Sequence, residues 1–238
     1  MNNPTMFEKT LIVLPARNEE AHIGKVLSQI VEMYPEAAIL VINDSSSDRT
    51  SEIVRQFRSV NLIELPFWMG YGGALQTGYK FAVANGYERV VQMDADEQHD
   101  PSEVSKLLQR SGEADIVIGS RFKDSSTKYK MPFVRKLGCR SLSFIGWLLT
   151  GLKITDPTSG FQMLNLRALQ IACEDHYPLD YPDLDVLILM QRRDLRVVEV
   201  PVVMHLSNEK DGMHAGIQVW YYAVKMLLSM FVMMLRKA

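Results

Sequence analysis

Short apolar runs alternating with stretches of helical period constrain this chain more than any other feature. Segments 10–14, 38–42, 60–65, 89–93 and 115–118 read as strands, and 10–14, 38–42 and 115–118 are apolar throughout or in all but their first residue. A strand that is apolar on both faces must be covered on both faces, as in a parallel sheet flanked by helices. The intervening segments supply those covers. Residues 20–34 repeat apolar side chains at Ile23, Val26, Leu27, Ile30 and Val31, a helical spacing. Asp48 is placed to cap a helix carrying Ile53, Val54 and Phe57, and Gly70-Tyr71-Gly72-Gly73 opens another that runs past Leu75, Tyr79 and Val83. Asp100, Pro101 and Glu103 read as N-cap, first-turn proline and capping box of a helix over 101–110. The expected architecture is α/β: a Rossmann-like three-layer sandwich around a mostly parallel central sheet.

After Arg121 the rhythm changes. Residues 123–132 and 207–216 are polar loops, 133–149 and 184–191 are helical, 155–160 is a polar turn, and 161–164 and 196–203 are strands. The chain reads as one domain over 1–215, with a nucleotide-binding half over about 10–120 and a second half over about 121–215 that completes the pocket. The formal net charge of −2 provides no broad basic field, so nucleic acid is not an expected partner. Cys139 and Cys173 lack metal-ligand spacing and read as buried thiols in a reducing compartment. No long apolar run near the start suggests a secretory signal. Residues 216–238 form an apolar to amphipathic terminal helix, whose uncharged core of 226–235 is short for a bilayer span of roughly 20 residues. Trp220, Tyr221 and Tyr222 at one end and Arg236 and Lys237 at the other suit contact with a membrane surface, with an integral membrane partner or with a second copy of the chain.

Three polar clusters follow three expected strands: 15–19, 43–48 and 94–98. In a parallel sheet those strand ends share one edge, where open α/β folds bind ligands. If the fourth strand reaches the carboxylates, Asp94 and Asp96 point the same way, because side chains alternate along a strand. With Asp100 already capping the next helix, this pair is free to meet a divalent ion bridging to a phosphate. Gln98 and His99 follow closely enough to join it. The glycines at 70–73 allow an anion near a helix N-terminus, and Gly119-Ser120-Arg121 offers a cation on the same edge.

Together these segments resemble the inverting family 2 glycosyltransferases of GT-A fold, most closely the branch of dolichyl-phosphate mannose synthase and bacterial polyprenyl-phosphate glycosyltransferases. The resemblance covers roughly residues 10–203. Leu14-Pro15-Ala16-Arg17-Asn18-Glu19-Glu20 is similar to the first-strand signature, which puts Glu19 at the nucleoside. Asn43-Asp44-Ser45-Ser46-Ser47-Asp48 is similar to Asp-Asp-Gly-Ser-x-Asp, with Asn43 and Ser45 replacing Asp and Gly, and implies a base or ribose contact for Asp44. Asp94-Ala95-Asp96-Glu97-Gln98 resembles the metal-binding Asp-x-Asp segment, with Glu97 where relatives carry Leu. Gly119-Ser120-Arg121, Asp156-Pro157-Thr158-Ser159-Gly160-Phe161 and Tyr181-Pro182-Asp183-Leu184-Asp185 complete the pattern. The chain departs from it after Pro201, where Lys210 or His214 takes the place of the arginine that relatives close over the diphosphate.

The resemblance implies metal-dependent transfer of a hexose from a UDP- or GDP-linked sugar to a polyprenyl phosphate, on the inner face of the cell membrane. Nucleotide contacts are expected from Pro15, Arg17, Glu19, Asp44, Gly73, Asp94, Ala95, Asp96 and Lys210, and Mg²⁺ or Mn²⁺ binding from Asp96 and Gln98. Arg121 is expected to hold an acceptor phosphate, and Asp156 or Asp185 to act as base if the acceptor is a hydroxyl. The alternatives are transfer to a hydroxyl of a lipid-linked saccharide or surface-polymer precursor, and a sugar-nucleotide-binding protein without turnover.

Overall fold

The computed structural model describes residues 6–124, 133–175, 177–179, 182 and 184–205. Lys210, His214 and the 216–238 segment lie outside these residues.

Among the described residues seven strands form one sheet: β1 (Thr10–Ala16), β2 (Ala38–Asn43), β3 (Val60–Glu64), β4 (Arg89–Gln92), β5 (Ile116–Ser120), β6 (Gln162–Asn165) and β7 (Val197–Pro201). Their order is β3-β2-β1-β4-β6-β5-β7. All pairings are parallel except those of β6, which runs antiparallel to both β4 and β5. The expected α/β sandwich is therefore present, with one reversed strand inserted near its middle.

Alternation along each strand divides the core in two. Leu11 and Val13 of β1, Leu40 and Ile42 of β2 and Ile116 and Ile118 of β5 face one layer, under α3 (Tyr71–Ala84), α6 (Leu166–Ala172) and α7 (Leu184–Arg192). Ile12 and Leu14, Ile39 and Val41, and Val117 face the other, under α1 (Ile23–Met33), α2 (Thr50–Val54) and α4 (Val104–Gln109). The helix α5 (Phe133–Thr150) packs Leu142 and Ile145 against the first layer. None of the described helices is long and apolar enough to cross a membrane.

Two boundaries differ from the sequence reading. The first strand continues through Pro15 to Ala16, in register with Ile42 and Asn43 of β2. Pairing of β1 with β4 ends at Val13 opposite Gln92, so no ladder bond is lost where proline lacks its N–H. The 101–110 helix begins as a 3-10 turn over Pro101–Glu103 before α4. Asp100 caps it by accepting the Ser102 N–H at 2.9 Å, while Glu103 pairs with Lys106 at 2.6 Å.

Candidate active site

The fourth strand stops at Gln92, two residues before the first carboxylate. Asp94 and Asp96 therefore sit on a turn, and strand alternation does not align them as the sequence reading required. Turn hydrogen bonds do that work. Asp96 accepts the Gln98 backbone N–H at 3.0 Å and also the Gln98 side-chain amide. Asp94 accepts the Tyr71 hydroxyl at 2.7 Å. Glu97 carries the turn through a left-handed φ of 66°, and its carboxylate reaches His22, which precedes α1, and Lys25 on the first turn of that helix. Those partners hold the Glu97 carboxyl below its usual range, Lys25 contributing most.

Burial pushes both the Asp94 and Asp96 carboxyls up, and the neighbouring Asp94 raises Asp96 further. Two partly desolvated acids this close are stabilised as anions by an added cation. His99 is not available to that cation. It is buried, stacks on Phe161 with centroids 4.9 Å apart, and receives the Asp94 backbone N–H on Nδ1 at 2.8 Å. Its proton therefore sits on Nε2, and desolvation lowers its pKa to about 4. Among the described residues no group of three or more His, Cys, Asp or Glu is placed to hold a metal. Asp96 and Gln98 would furnish oxygen donors only, the set that suits Mg²⁺ when phosphate oxygens and waters fill the remaining positions.

The loops after β1 and β2 close on each other beside this turn. Asn18 and Ser45 both hold left-handed backbones, at φ 56° and 55°, a conformation that glycine adopts without steric cost. Thr50 Oγ1 accepts the Glu19 N–H at 2.8 Å, and Asn18 Oδ1 accepts the Ser47 N–H at 2.9 Å. Asp44 is buried and accepts the N–H groups of Met69 at 2.7 Å and Gly70 at 2.9 Å. Its carboxylate therefore fixes the loop between β3 and α3. Arg17 stands over the exposed Trp68, 4.5 Å from the ring centroid.

The glycine segment packs closely against the 178–179 backbone and Met69. A Cβ on Gly72 would lie 2.1 Å from the Pro178 carbonyl oxygen, and one on Gly73 2.8 Å from Met69. The Gly73 N–H already donates to the Leu179 carbonyl at 2.9 Å. Gly73, expected to contact the nucleotide, thus has its backbone donor engaged by the polypeptide.

On the other side of β4, Arg121 and Asp156 meet as a buried pair. The guanidinium donates from Nε to one carboxylate oxygen and from Nη2 to the other, both at 2.7 Å, and the Arg121 backbone N–H adds a third bond at 3.0 Å. Asp156 is fully buried and both its carboxylate oxygens are engaged by the arginine. Glu199, which the sequence reading did not select as a site residue, accepts the N–H groups of Thr155 and Asp156, each at 2.8 Å. Burial raises its carboxyl. Its signal in the sequence was a lone carboxylate inside the apolar strand ahead of Pro201. Gln92 Nε2 donates to the Gly160 carbonyl at 2.9 Å, and a Cβ on Gly160 would lie 3.4 Å from Asp94. The 156–161 segment thus abuts the carboxylate turn. Asp185, at the start of α7, is 1% exposed. Beyond β7 the chain returns to the turn, where His205 donates its N–H to the Gln98 carbonyl at 2.8 Å.

Pro15, Arg17, Glu19, Asp44, Asp94, Ala95, Asp96 and Gln98 therefore share one sheet edge, and Arg121 with Asp156 follows on it. Residues 11–171 match glycosyl transferase family 2. The chain is 30% identical over 210 residues to a UDP-N-acetylglucosamine–dolichyl-phosphate N-acetylglucosaminyltransferase of Methanococcus voltae, covering 80% of this chain and 83% of that protein. It is 29% identical over 201 residues to an undecaprenyl-phosphate mannosyltransferase of Micrococcus luteus, covering 82% of each. Among solved structures, glucosyl-3-phosphoglycerate synthase from Mycobacterium tuberculosis, in complex with Mn²⁺, UDP-glucose and phosphoglyceric acid, has the same fold. It superposes with a TM-score of 0.71 at 21% identity, covering 94% of this chain and 79% of that one.

Proposed function

The chain belongs to glycosyl transferase family 2, and from that premise we propose that it moves a hexose, with inversion, from a nucleotide diphosphate sugar to a polyprenyl phosphate at the inner face of the cell membrane. The names of the relatives, which act on dolichyl and undecaprenyl phosphates, support the acceptor class. The observation that carries it within this chain is the Arg121–Asp156 pair. A sugar hydroxyl needs a base to remove its proton, and the first candidate has both oxygens on a guanidinium. A phosphate is already ionised and attacks without one.

The residues then divide the work. Asp44 and the loops after β1 and β2 shape the nucleoside end, and Asp94, fixed by Tyr71, lies between that end and Gly160. Asp96 and Gln98 would hold Mg²⁺ or Mn²⁺, which supplies Lewis-acid stabilisation of the charge that grows on the departing diphosphate. Arg121, oriented by Asp156 and through it by Glu199, sets a cation beside the acceptor phosphate. Lys210 follows His205 by five positions and is assigned to the diphosphate, while residues 216–238 are assigned to the membrane surface.

The test is a panel of UDP-, GDP- and dTDP-sugars with Mg²⁺ or Mn²⁺ and a short polyprenyl phosphate, products being separated by chromatography. Transfer confined to hydroxyl acceptors overturns the acceptor assignment. Asp96→Ala should remove turnover by about 100-fold or more with the fold intact; undiminished turnover overturns its role.

A further inference from the structure

The loop between β3 and α3 carries two large aromatic side chains that the core does not use: Phe67 is 64% exposed and Trp68 63%. The loop is nonetheless fixed. Leu65 donates its N–H to the Asn43 carbonyl at 2.9 Å, and Asp44 takes the N–H groups of Met69 and Gly70. The indole is held from a third direction by Arg17, whose guanidinium covers one ring face at 4.5 Å. Arg17 follows β1 and Asp44 follows β2, so Trp68 is anchored by the two loops that shape the nucleoside end of the proposed site.

Arg17 covers one face of the indole, and the buried Asp44 holds its loop from beneath. A flat ring with one face covered, the rest exposed and the backbone pinned on both sides has little order to lose when a second flat ring settles on it. We propose that Trp68, backed by Arg17, is the stacking platform for the nucleobase of the donor. The inference rests on the nucleotide-sugar reading above and deepens it. Every base presents a π face, so the platform adds affinity without choosing the base. Base identity must then be read at the ring edge by other groups.

The test is calorimetric titration of the full chain and Trp68→Ala with UDP, GDP and pyrophosphate in the presence of Mn²⁺. UDP and GDP should each bind Trp68→Ala about 5- to 150-fold more weakly, with pyrophosphate unchanged. A second measurement uses Trp147→Phe/Trp220→Phe, which leaves Trp68 as the only indole of the three; UDP should quench its fluorescence. Unchanged UDP and GDP affinity, an equal loss for pyrophosphate, or loss of liposome adsorption in place of nucleotide affinity overturns the platform while leaving the transferase reading standing. A wild-type chain that binds neither nucleotide overturns both.

Discussion

Replacing Asp156 by Asn keeps the shape of the side chain and removes its charge. Arg121 would then keep a guanidinium that is 7% exposed, facing an amide that accepts through one atom rather than two. The wild-type carboxylate takes two side-chain bonds at 2.7 Å and a backbone bond at 3.0 Å. Leaving one charge of such a pair buried and uncompensated costs about 3–5 kcal/mol, whereas replacing both partners by apolar residues is often neutral or stabilising. Asp156→Asn should therefore lower stability by about 3 kcal/mol or more, and Arg121→Met/Asp156→Leu should recover most of that loss. Urea denaturation followed by circular dichroism reads both. A loss below about 1 kcal/mol in the single variant, or a double variant no more stable than the single, would refute the buried-pair account. The same proteins separate structure from chemistry: the double variant should be folded and inactive. A base role for Asp156 would instead leave the single variant stable and slow only with hydroxyl acceptors.

Gly72→Ala should lose about 1–3 kcal/mol or displace the 178–179 segment, because its new methyl would meet backbone at 2.1 Å; thermal denaturation and nucleotide affinity together report which occurs. Ser45→Gly should be neutral or stabilising, and Ser45→Val should cost about 1–2 kcal/mol, because φ 55° suits the first and not the second; urea midpoints decide. His99 is neutral in the fold, with a pKa near 4 against an ordinary 6.5. The unfolded chain therefore binds the extra proton first, and stability from this group, complete above pH 6.5, declines as pH falls toward 4 by about 3 kcal/mol. Asp94 and Asp96, raised by burial, act in the opposite sense. The measurement is therefore the difference in pH slope between wild type and His99→Gln; no difference would sink it.

The apolar runs were legible because each strand is covered on both faces, so composition alone marked 10–14, 38–42 and 115–118. The site edge was legible for the same reason: parallel strands end together. What the sequence concealed depends on pairing between distant segments. Arg121 and Asp156 are 35 residues apart and meet because β6 inserts antiparallel beside β5, a choice that no local period encodes. Asp44 was read as a ligand contact, and its buried bonds to Met69 and Gly70 follow from where β3 hands over to α3. Asp94 and Asp96 were brought together by the wrong device, since strand alternation stops at Gln92 and a left-handed Glu97 takes over.

The reversed strand binds the two stretches of chain into one folding unit. Val90 and Val91 ladder on one side to Leu11 and Ile12, and on the other to Leu164 and Met163. A fragment ending near residue 120 would leave β4 and β5 separated by an empty lane of roughly 10 Å, twice the spacing of neighbouring strands. Both bare edges would then invite pairing with other chains. The two stretches of sheet are thus bound to rise and fall together during folding: a fragment ending near residue 120 should not hold the native sheet.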